Sequence, residues 1–467
     1  MGTLNALMDL SKSALQSNQA ALDITSKNVA NQNVVGYTRE TVSWSADVVS
    51  INGTSVGTGA STGPVGVSQR DRVLEQRVQQ QTQVSSAATA RESALTQLQS
   101  VFGLSSSSSS ALSTDLGSAI DGLYNSFSAL ANAPSDTSAR QAVLSAAGTL
   151  TQAFQSASNQ VASVNAGLSQ TAVSVVSQVN GLAKTIATLN QQIGALSPNA
   201  DAGTLEDQRQ VAIAQLSQYV GLDQVTTESN GLTLSTSDGT LLVSGSQSFA
   251  LSATIAGNSV QITGAGSSTD ISGSLTGGQL GGILSVQHTE IPALTSSLDQ
   301  LAYAVGTTVN QQNEAGLDGS GNAGQALFTL PATATGAAGS IAVATTDPSS
   351  IAAAGTGEGT LGNTNANALA AQATESIVSG ESAASFFAGV LSGLGGAVAG
   401  ATTESTAQQT SLTQLTTQRD ALSGVSLDEE AANLTQYQRS YQAAAKLFST
   451  VDTVMEAAIN LGSATTV

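Results

Sequence analysis

Apolar side chains recur along much of this chain at alternating spacings of three and four residues, the repeat of helices that pack side by side. The longest such stripe begins at Val143 and ends at Leu196, with one extra step of four between Leu168 and Ala172. An extra step of this kind locally unwinds a coiled coil. The stripe predicts a single helix roughly 80 Å long. A helix of that length indicates a rod and not a compact domain.

Three shorter stretches with the same periodicity predict helices that pack against this rod. They cover residues 69–101, 291–309 and 387–422. Glycines at 393–400 weaken the last of them, because each glycine costs a helix interior about 1 kcal/mol. The helical pattern is therefore weakest in the first half of that stretch. The serine run at 105–110 predicts a flexible connector.

Each end of the chain carries an apolar seam that repeats every seventh residue, and the plainest partner of each seam is the other. A capping box of Ser426 and Glu429 predicts that the carboxyl-terminal helix begins there. We predict that the two ends pair as assembly helices, while ordinary core helices of one globule remain the alternative. The predicted assembly interface comprises Leu4, Leu7, Met8, Leu15, Leu22 and Val29 at the amino end, and Leu427, Leu434, Tyr437, Tyr441, Phe448, Val451 and Met455 at the carboxyl end.

Between residues 222 and 276 the apolar period becomes two, which is typical of short strands. Asn230-Gly231, Asp238-Gly239 and Gly257-Asn258 supply turn signals between those strands. Residues 41–48 alternate in the same way and predict a half-buried strand or an extended arm. Residues 325–380 are interpreted as loops with one strand at 341–344.

These patterns together predict a mainly α fold of the α+β class: a long coiled-coil-like helical rod with paired terminal helices and a small inserted β domain. We divide the chain into an N-terminal assembly helix and extended arm (1–63), a first part of the rod domain (64–221), the β domain (222–279), a second part of the rod domain with the loops at 325–380 (280–425), and a C-terminal assembly helix (426–467).

Composition removes several classes of protein. Charged residues are 10% of the 467, whereas soluble domains carry about 25%. The 13 Lys and Arg against 32 Asp and Glu give a net charge of −19, which argues against a nucleic-acid partner. Residues 210–418 contain no Lys or Arg, so we expect this acidic stretch on an outer surface. No apolar run approaches the roughly 18 residues of a membrane-spanning helix, so no membrane span is predicted. No cysteine is present.

The residues that carry chemistry are sparse and scattered. His288 is the single histidine, so a surface or capping role is expected of it. The run 318–322 begins like a calcium loop but lacks the glycine and the glutamate that complete one. The glycines at 277–282 lack a phosphate-binding spacing. Arg70, Arg72 and Arg77 are interpreted as a solvated helix face with ion pairs. No catalytic, cofactor-binding or metal-ligating residues are predicted, and we expect the protein not to be an enzyme.

Residues 28–40 nevertheless form a specific motif, which resembles the amino-terminal motif of flagellar axial proteins. Its ending is most similar to the hook-associated protein 1 family, whose members join hook to filament. Residues 423–430, 205–209, 280–284 and 313–321 resemble other parts of that family. The C-terminal block is expected to separate this family from rod and hook subunits. The motif residues are Asn28, Asn31, Asn33, Gly36, Tyr37, Thr38 and Arg39.

This resemblance implies a structural adaptor that polymerises into a helical tube through its N- and C-terminal helices. The implied partners are other copies of the chain, the hook protein, the next junction protein on the filament side, and an export chaperone on the C-terminal helix. It implies an extracellular place in the bacterial flagellum, reached by type III export without a cleaved signal peptide, and no cofactor. The alternatives are another axial subunit of rod, hook or filament type, and a secreted enzyme that uses the β domain.

Overall fold

The structure is a computed structural model that describes residues 2–44, 46–51, 54–60, 65–103, 112–196, 203–226 and 232–463. Side chains are described for residues 7–44, 66–103, 116–196, 203–224 and 232–460. The serine connector at 105–110 and the turn at 230–231 lie outside the described residues, as does the side chain of Leu4.

Most of the described chain is helical. The helices are α1 (Gly2–Asn31), α2 (Arg72–Val101), α3 (Leu112–Asn132), α4 (Thr137–Ala195), α5 (Gly203–Tyr219), α6 (Gly278–His288), α7 (Glu290–Ala315), α8 (Ala337–Ser340), α9 (Thr364–Ala371), α10 (Ala383–Ser423) and α11 (Leu427–Ser463), with one 3-10 turn at Pro348–Ser350. The strands are β1 (Glu40–Ser43), β2 (Ala46–Ile51), β3 (Thr54–Ala60), β4 (Val65–Ser68), β5 (Leu222–Thr226), β6 (Leu232–Thr236), β7 (Leu241–Ser244), β8 (Gln247–Ser248), β9 (Ser252–Ala256), β10 (Ser259–Thr263), β11 (Phe328–Thr329) and β12 (Ala342–Val343).

Helix α4 is the spine of the molecule and confirms the predicted long helix. Its 59 residues extend over about 90 Å, and almost the whole predicted stripe is buried, including Leu150 and Phe154. The extra step in the stripe coincides with a polar contact in the core. There Gln287 of α6 donates from Nε2 to Asn165 Oδ1 at 2.8 Å and to Ser169 Oγ at 2.7 Å.

Helix α10 confirms the helix predicted over 387–422, because it continues unbroken for 41 residues. It packs along α2 and buries Phe387, Leu394 and Ala401 on that side. A Cβ atom placed on any of the glycines at 393–400 would meet no atom within 4 Å. The glycines therefore form an open surface of a helix that tertiary packing maintains.

The glycine-rich run at 277–282 serves close packing. A Cβ atom on Gly282 would lie 2.2 Å from the carbonyl oxygen of Ala87, so α6 lies with its backbone directly against α2. Any larger residue at Gly282 would push the two helices apart.

The predicted β domain forms between α5 and α6, and confirms the period-two pattern. Strands β5–β6–β7–β8 make one antiparallel sheet, and β9 pairs with β10. Polar side chains of α4 bind this domain by its backbone. Asn180 exchanges two hydrogen bonds of 2.8 Å with the backbone of Leu251. Asn190 Nδ2 donates to the carbonyl of Gly245 at 2.8 Å, and Ser169 Oγ donates to that of Asn258 at 3.0 Å.

The segment 325–380 contains the expected short strand, since β12 pairs with β11. The interpretation of the rest as loops is wrong where α8 and the eight-residue α9 form. Asn313 organises the loops from the end of α7. Its Nδ2 donates to the carbonyl of Gln325 at 2.6 Å, and its Oδ1 accepts from the amide of Ala352 at 2.9 Å. The structure is therefore the mainly α rod with a small β insert that the sequence predicted.

Candidate assembly site

The terminal helices α1 and α11 pack along each other, and three segments of the chain meet where this pair joins the rod. We call this region the neck; it comprises residues 36–40, 68–71 and 423–427 and the side chains of Lys27, Asn28 and Glu430 that bind there. Backbone groups join the three segments. The amide of Arg39 donates to the carbonyl of Ser423 at 3.0 Å, and the amide of Gln69 donates to that of Arg39 at 2.9 Å. Ser423 Oγ closes the set with a 3.0 Å bond to the carbonyl of Gln69.

Asn28 lies at the centre of the neck with 1% of its surface exposed. Its Oδ1 accepts from the hydroxyl of Tyr37 at 2.8 Å and from the amide of Glu40 at 3.0 Å. Its Nδ2 donates to the carbonyl of Glu40 at 2.8 Å and to Glu430 Oε2 at 3.3 Å. Only a side-chain amide can accept two hydrogen bonds and donate two others at one place. Asn28 thereby links α1, β1 and α11.

Two buried carboxylates of the neck each have a cation. Arg39 Nε lies 2.7 Å from Glu430 Oε1, and the Glu430 side chain is 2% exposed. Arg39 Nη1 also lies 2.5 Å from the exposed Glu429. Lys27 Nζ lies 2.7 Å from Glu40, whose side chain is 6% exposed. Buried ion pairs of this kind are costly to separate, because removing one partner leaves the other charge buried and uncompensated.

A fourth ion pair joins the neck to the rod. Arg70 binds Asp207 of α5 and donates to Thr38 Oγ1 at 3.0 Å. Burial raises the pKa of Asp207, and this effect exceeds the opposing one of Arg70. The interpretation of Arg70, Arg72 and Arg77 as one solvated helix face is therefore wrong for Arg70. That residue precedes α2 and its side chain is 16% exposed.

The remaining motif residues have different environments. Gly36 has φ +81°, and a Cβ atom there would lie 2.1 Å from Val211 Cγ2 of α5, so only glycine fits. Asn31 Nδ2 donates to the carbonyl of Lys27 at 2.9 Å. Asn33 is exposed.

On α11, most of the predicted seam lies on the covered face. Ala444 and Val451 are buried, and the half-buried side chains are Leu434, Tyr437, Phe448 and Met455. Trp44 reaches this helix with its ring 6.3 Å from that of Tyr437. Leu427 and Tyr441 depart from the prediction, since they are 49% and 37% exposed. Both remain on the surface that the isolated chain presents to solvent.

On α1 the predicted seam is displaced. The buried side chains are small or polar: Ser11, Ser17, Ala21, Thr25 and Asn28. Leu7 and Val29 are 43% and 37% exposed, while Met8, Leu15 and Leu22 are half-buried. Leu7 and Val29 are therefore not buried between the two helices in the isolated chain, and their place in the assembly interface stays a prediction. Small residues on α1 allow the two helices to lie close together, and the larger side chains of α11 pack against them. The heptad residues of α1 lie on a neighbouring face of that helix.

Sequence reasoning missed Lys27, Glu40, Arg70 and Glu430 as members of the neck, and Asp207 as its partner in the rod. The resemblance supplied a signal for three of them, because Glu40, Asp207 and Glu430 lie in the segments 28–40, 205–209 and 423–430 that it singled out.

No arrangement for catalysis is visible in the described residues. His288 is exposed at the end of α6. The described residues hold no group of three or more His, Asp or Glu placed to bind a metal. Asp318 Oδ1 already accepts from the amides of Ser320 and Asn322, each at 2.8 Å.

The expectation that no stretch could span a membrane is wrong by composition. The helical stretch Ala383–Asn460 contains an 18-residue window long and apolar enough to cross one, and 11% of that window is buried. Length and composition alone make weak evidence for a membrane span. The stretch also includes α10, which packs along α2.

Comparison with known proteins places this architecture. Residues 95–328, half of the chain, match the family model of the flagellar hook-associated protein FlgK helical domain. The chain belongs to the FlgK family of flagellar hook-associated proteins. This family consists of structural proteins of the flagellar hook–filament junction.

Known proteins of similar sequence align with nearly the whole length of this chain. Flagellar hook-associated protein 1 of Escherichia coli is 26% identical over 562 aligned residues, which cover 98% of this chain and 100% of the relative. The Bacillus subtilis protein of the same name is 28% identical over 500 residues and 97% of each chain. A solved structure, the flagellar hook junction protein FlgK from Burkholderia pseudomallei, has a TM-score of 0.67 at 19% identity. It covers 74% of this chain and 100% of that one, so the two share a fold.

The two chain ends match different family models. Residues 8–38 match that of the flagella basal body rod protein, and residues 418–461 match that of the flagellar basal body rod FlgEFG protein C-terminal region. The expectation that the C-terminal block separates this family from rod and hook subunits is therefore wrong. The helical domain makes that distinction.

Proposed function

We propose that this chain is a structural adaptor that joins the hook to the filament of the bacterial flagellum and polymerises through its terminal helices. Membership of the FlgK family supports the place, and the match of both ends to models of basal body rod proteins supports a shared mode of assembly. The neighbours are the hook protein on one side and the next junction protein on the filament side. The tube is a homo-oligomer of this chain.

One observation carries the mechanism: the paired terminal helices expose large apolar side chains. Among the described side chains of α11, Tyr441, Leu447, Val454 and Ile459 are between 37% and 55% exposed. Apolar area of this kind is removed from water when copies pack, at about 25 cal/mol per Å². We call the contact between α1 and α11 the inner seam. On α11 it consists of the buried Ala444 and Val451 and the predicted interface residues Leu434, Phe448 and Met455.

The other parts follow from this division. The terminal pair builds the tube, the rod domain surrounds it, and the β domain lies outermost with the stretch that carries no Lys or Arg. We further propose export through the flagellar type III channel, with a chaperone that covers the apolar face of α11 before assembly. The assembled protein is extracellular.

A deletion strain tests the function. Loss of this chain should abolish filaments while hooks remain, whereas loss of a rod subunit would remove the hooks as well. Complementation with Phe448→Asp should fail to restore filaments, because a charge in the inner seam detaches α11. Val84→Asp is the matched control, since Val84 is an exposed valine of α2. Its filaments should be normal. Normal filaments with Phe448→Asp, and an unchanged thermal melt of that variant, would contradict the role of the terminal pair.

A further inference from the structure

We propose that the terminal pair carries two complementary apolar stripes, one on each helix, through which one copy of the chain packs head to tail against the next. The proposal rests on the proposed function and deepens it, because it names the two surfaces that meet when copies polymerise.

The first stripe lies on α11. Leu447 and Val454 are seven residues apart and 45% and 49% exposed. Each follows a buried residue of the inner seam, Ala444 or Val451, by three positions. A step of three residues turns a side chain about 60° backwards around the helix. The stripe therefore runs beside the inner seam and not on it.

The second stripe lies on α1 and consists of the heptad that the sequence singled out. Met8, Leu15, Leu22 and Val29 are half-buried or exposed, whereas Ala21 is one of the fully buried residues of α1. Leu22 follows Ala21 by one residue, which turns it about 100° forwards. This stripe also runs beside the inner seam.

The two stripes lie on opposite flanks of the pair. Helix α1 ends at the neck and α11 begins there, as the contact of Asn28 with Glu430 shows, so the helices run antiparallel. On two antiparallel helices that face each other, turns of the same sense lead to the same flank and turns of opposite sense lead to opposite flanks. A forward turn on α1 and a backward turn on α11 therefore separate the stripes. Two different patches on opposite flanks are what a head-to-tail contact needs, and such contacts build rings or helical filaments.

A second copy of this chain fits the first half of the α1 stripe, Met8 and Leu15, against the α11 stripe in one register. If Leu15 of one copy lies opposite Leu447 of the next, the antiparallel course of the helices also places Met8 opposite Val454. The same register places Asp23 opposite Arg439. Apolar contacts with flanking ion pairs of this kind specify partner and register in coiled coils.

The charges beside the stripes agree with this pairing. Asp9, Lys12 and Asp23 are exposed on the outer side of the α1 stripe, and Arg439 and Lys446 are exposed on that of α11. The α1 side thus carries a net negative charge and the α11 side a net positive one, and in this register the ion pair that forms is that of Asp23 with Arg439. Neither Asp23 nor Arg439 has an ion-pair partner among the described residues of its own chain.

Cysteine cross-linking tests the contact cleanly, because the chain has no cysteine. The full chain with Leu15→Cys and Leu447→Cys is expressed in the deletion strain, and isolated hooks are oxidised. Non-reducing electrophoresis should show a ladder of dimers and higher oligomers that a reductant collapses. Each single variant should stay monomeric. Dimers of a single variant would mean a symmetric contact and would overturn the proposal. So would an internal disulfide in the free subunit, since it would put both stripes on one flank.

Charge reversal gives an independent test and separates the two proposals. Asp23→Arg and Arg439→Asp should each lower the number of filaments per cell at least several-fold, and the double variant should restore it. Filaments that form normally in both single variants, with no cross-linked ladder, would refute this contact while leaving the proposed function intact. A deletion strain that keeps its filaments would refute the proposed function itself.

Discussion

Replacement of Asn28 by Asp is the sharpest test of the neck, because it changes almost no volume and reverses one hydrogen-bonding group. The Oδ1 atom that accepts from Tyr37 and from the amide of Glu40 is retained. The Nδ2 group that donates to the carbonyl of Glu40 and to Glu430 becomes an oxygen. Two acceptors then face a third acceptor in a buried place.

The expected loss follows from the two donations that disappear. A neutral hydrogen bond contributes about 1 kcal/mol, and one to a charged group about 1.5–3 kcal/mol. The bond to Glu430 is long at 3.3 Å, so we take the lower figure for it. Facing oxygens without a donor add their own desolvation cost, and the new carboxylate adds a buried negative charge beside Glu430. The total is at least about 3 kcal/mol, which lowers the equilibrium constant for closing the neck about a hundredfold or more.

Trp44 provides the assay, because it is the single tryptophan and lies 6.3 Å from Tyr437 of α11. Its fluorescence during urea unfolding reports the terminal pair, while circular dichroism follows mainly the rod. Asn28→Asp should move the fluorescence midpoint to lower urea and leave the main dichroism transition in place. Asn33→Asp adds the same charge at an exposed position and should move neither. Equal fluorescence midpoints for the two variants would refute the reasoning.

Two further changes address the neck by the same fluorescence assay. Gly36→Ala should destabilise the neck by more than the roughly 1–3 kcal/mol of a strained backbone, because its Cβ would also meet Val211 Cγ2 at 2.1 Å, and the fluorescence midpoint should fall accordingly. Gly239 has a similar positive φ in open space, so Gly239→Ala should leave that midpoint unchanged. The pKa of Tyr37 is raised well above its usual range, first by burial and then by the carboxylates around it. Above about pH 10 the unfolded chain releases this proton and the folded chain retains it, so stability should fall as pH rises there. Tyr37→Phe should flatten that decline, and an equally steep decline in the variant would assign it to other groups.

The parts of the fold that periodicity controls were predictable. The stripe of α4 is long and nearly continuous, so its helix is confirmed. The period-two segment is confirmed by β5–β10 for the same reason. The first half of α10 had the weakest helical pattern because of its glycines, and packing along α2 maintains the helix there. Propensity is a weak prior when tertiary contacts are available.

The site was less predictable, and α1 shows why. Its most apolar face is not the face that α11 covers, since Ser11, Ser17 and Ala21 are buried instead. A hydrophobic pattern ranks faces by apolar content, but a close helix contact selects small side chains. The pattern also cannot pair residues 400 positions apart, so the bond between Arg39 and Glu430 was outside its reach. A helix that contacts both its own chain and other copies has two contact faces. The sequence pattern identifies the more apolar face, but it does not show which of the two contacts that face makes.

The neck makes the assembly surface conditional on both ends of the chain. Glu430 is buried, and its cation and its amide donor both come from the amino-terminal motif, through Arg39 and Asn28. Without that motif the carboxylate would be buried and unpaired, a state that costs about 3–5 kcal/mol, so α11 would lose its orientation at the neck. The two stripes belong to different helices, and they stand on opposite flanks only while α1 and α11 are held antiparallel. The polar network at the neck and the apolar stripes along the pair are therefore one device: the first fixes the geometry in which the second are able to meet.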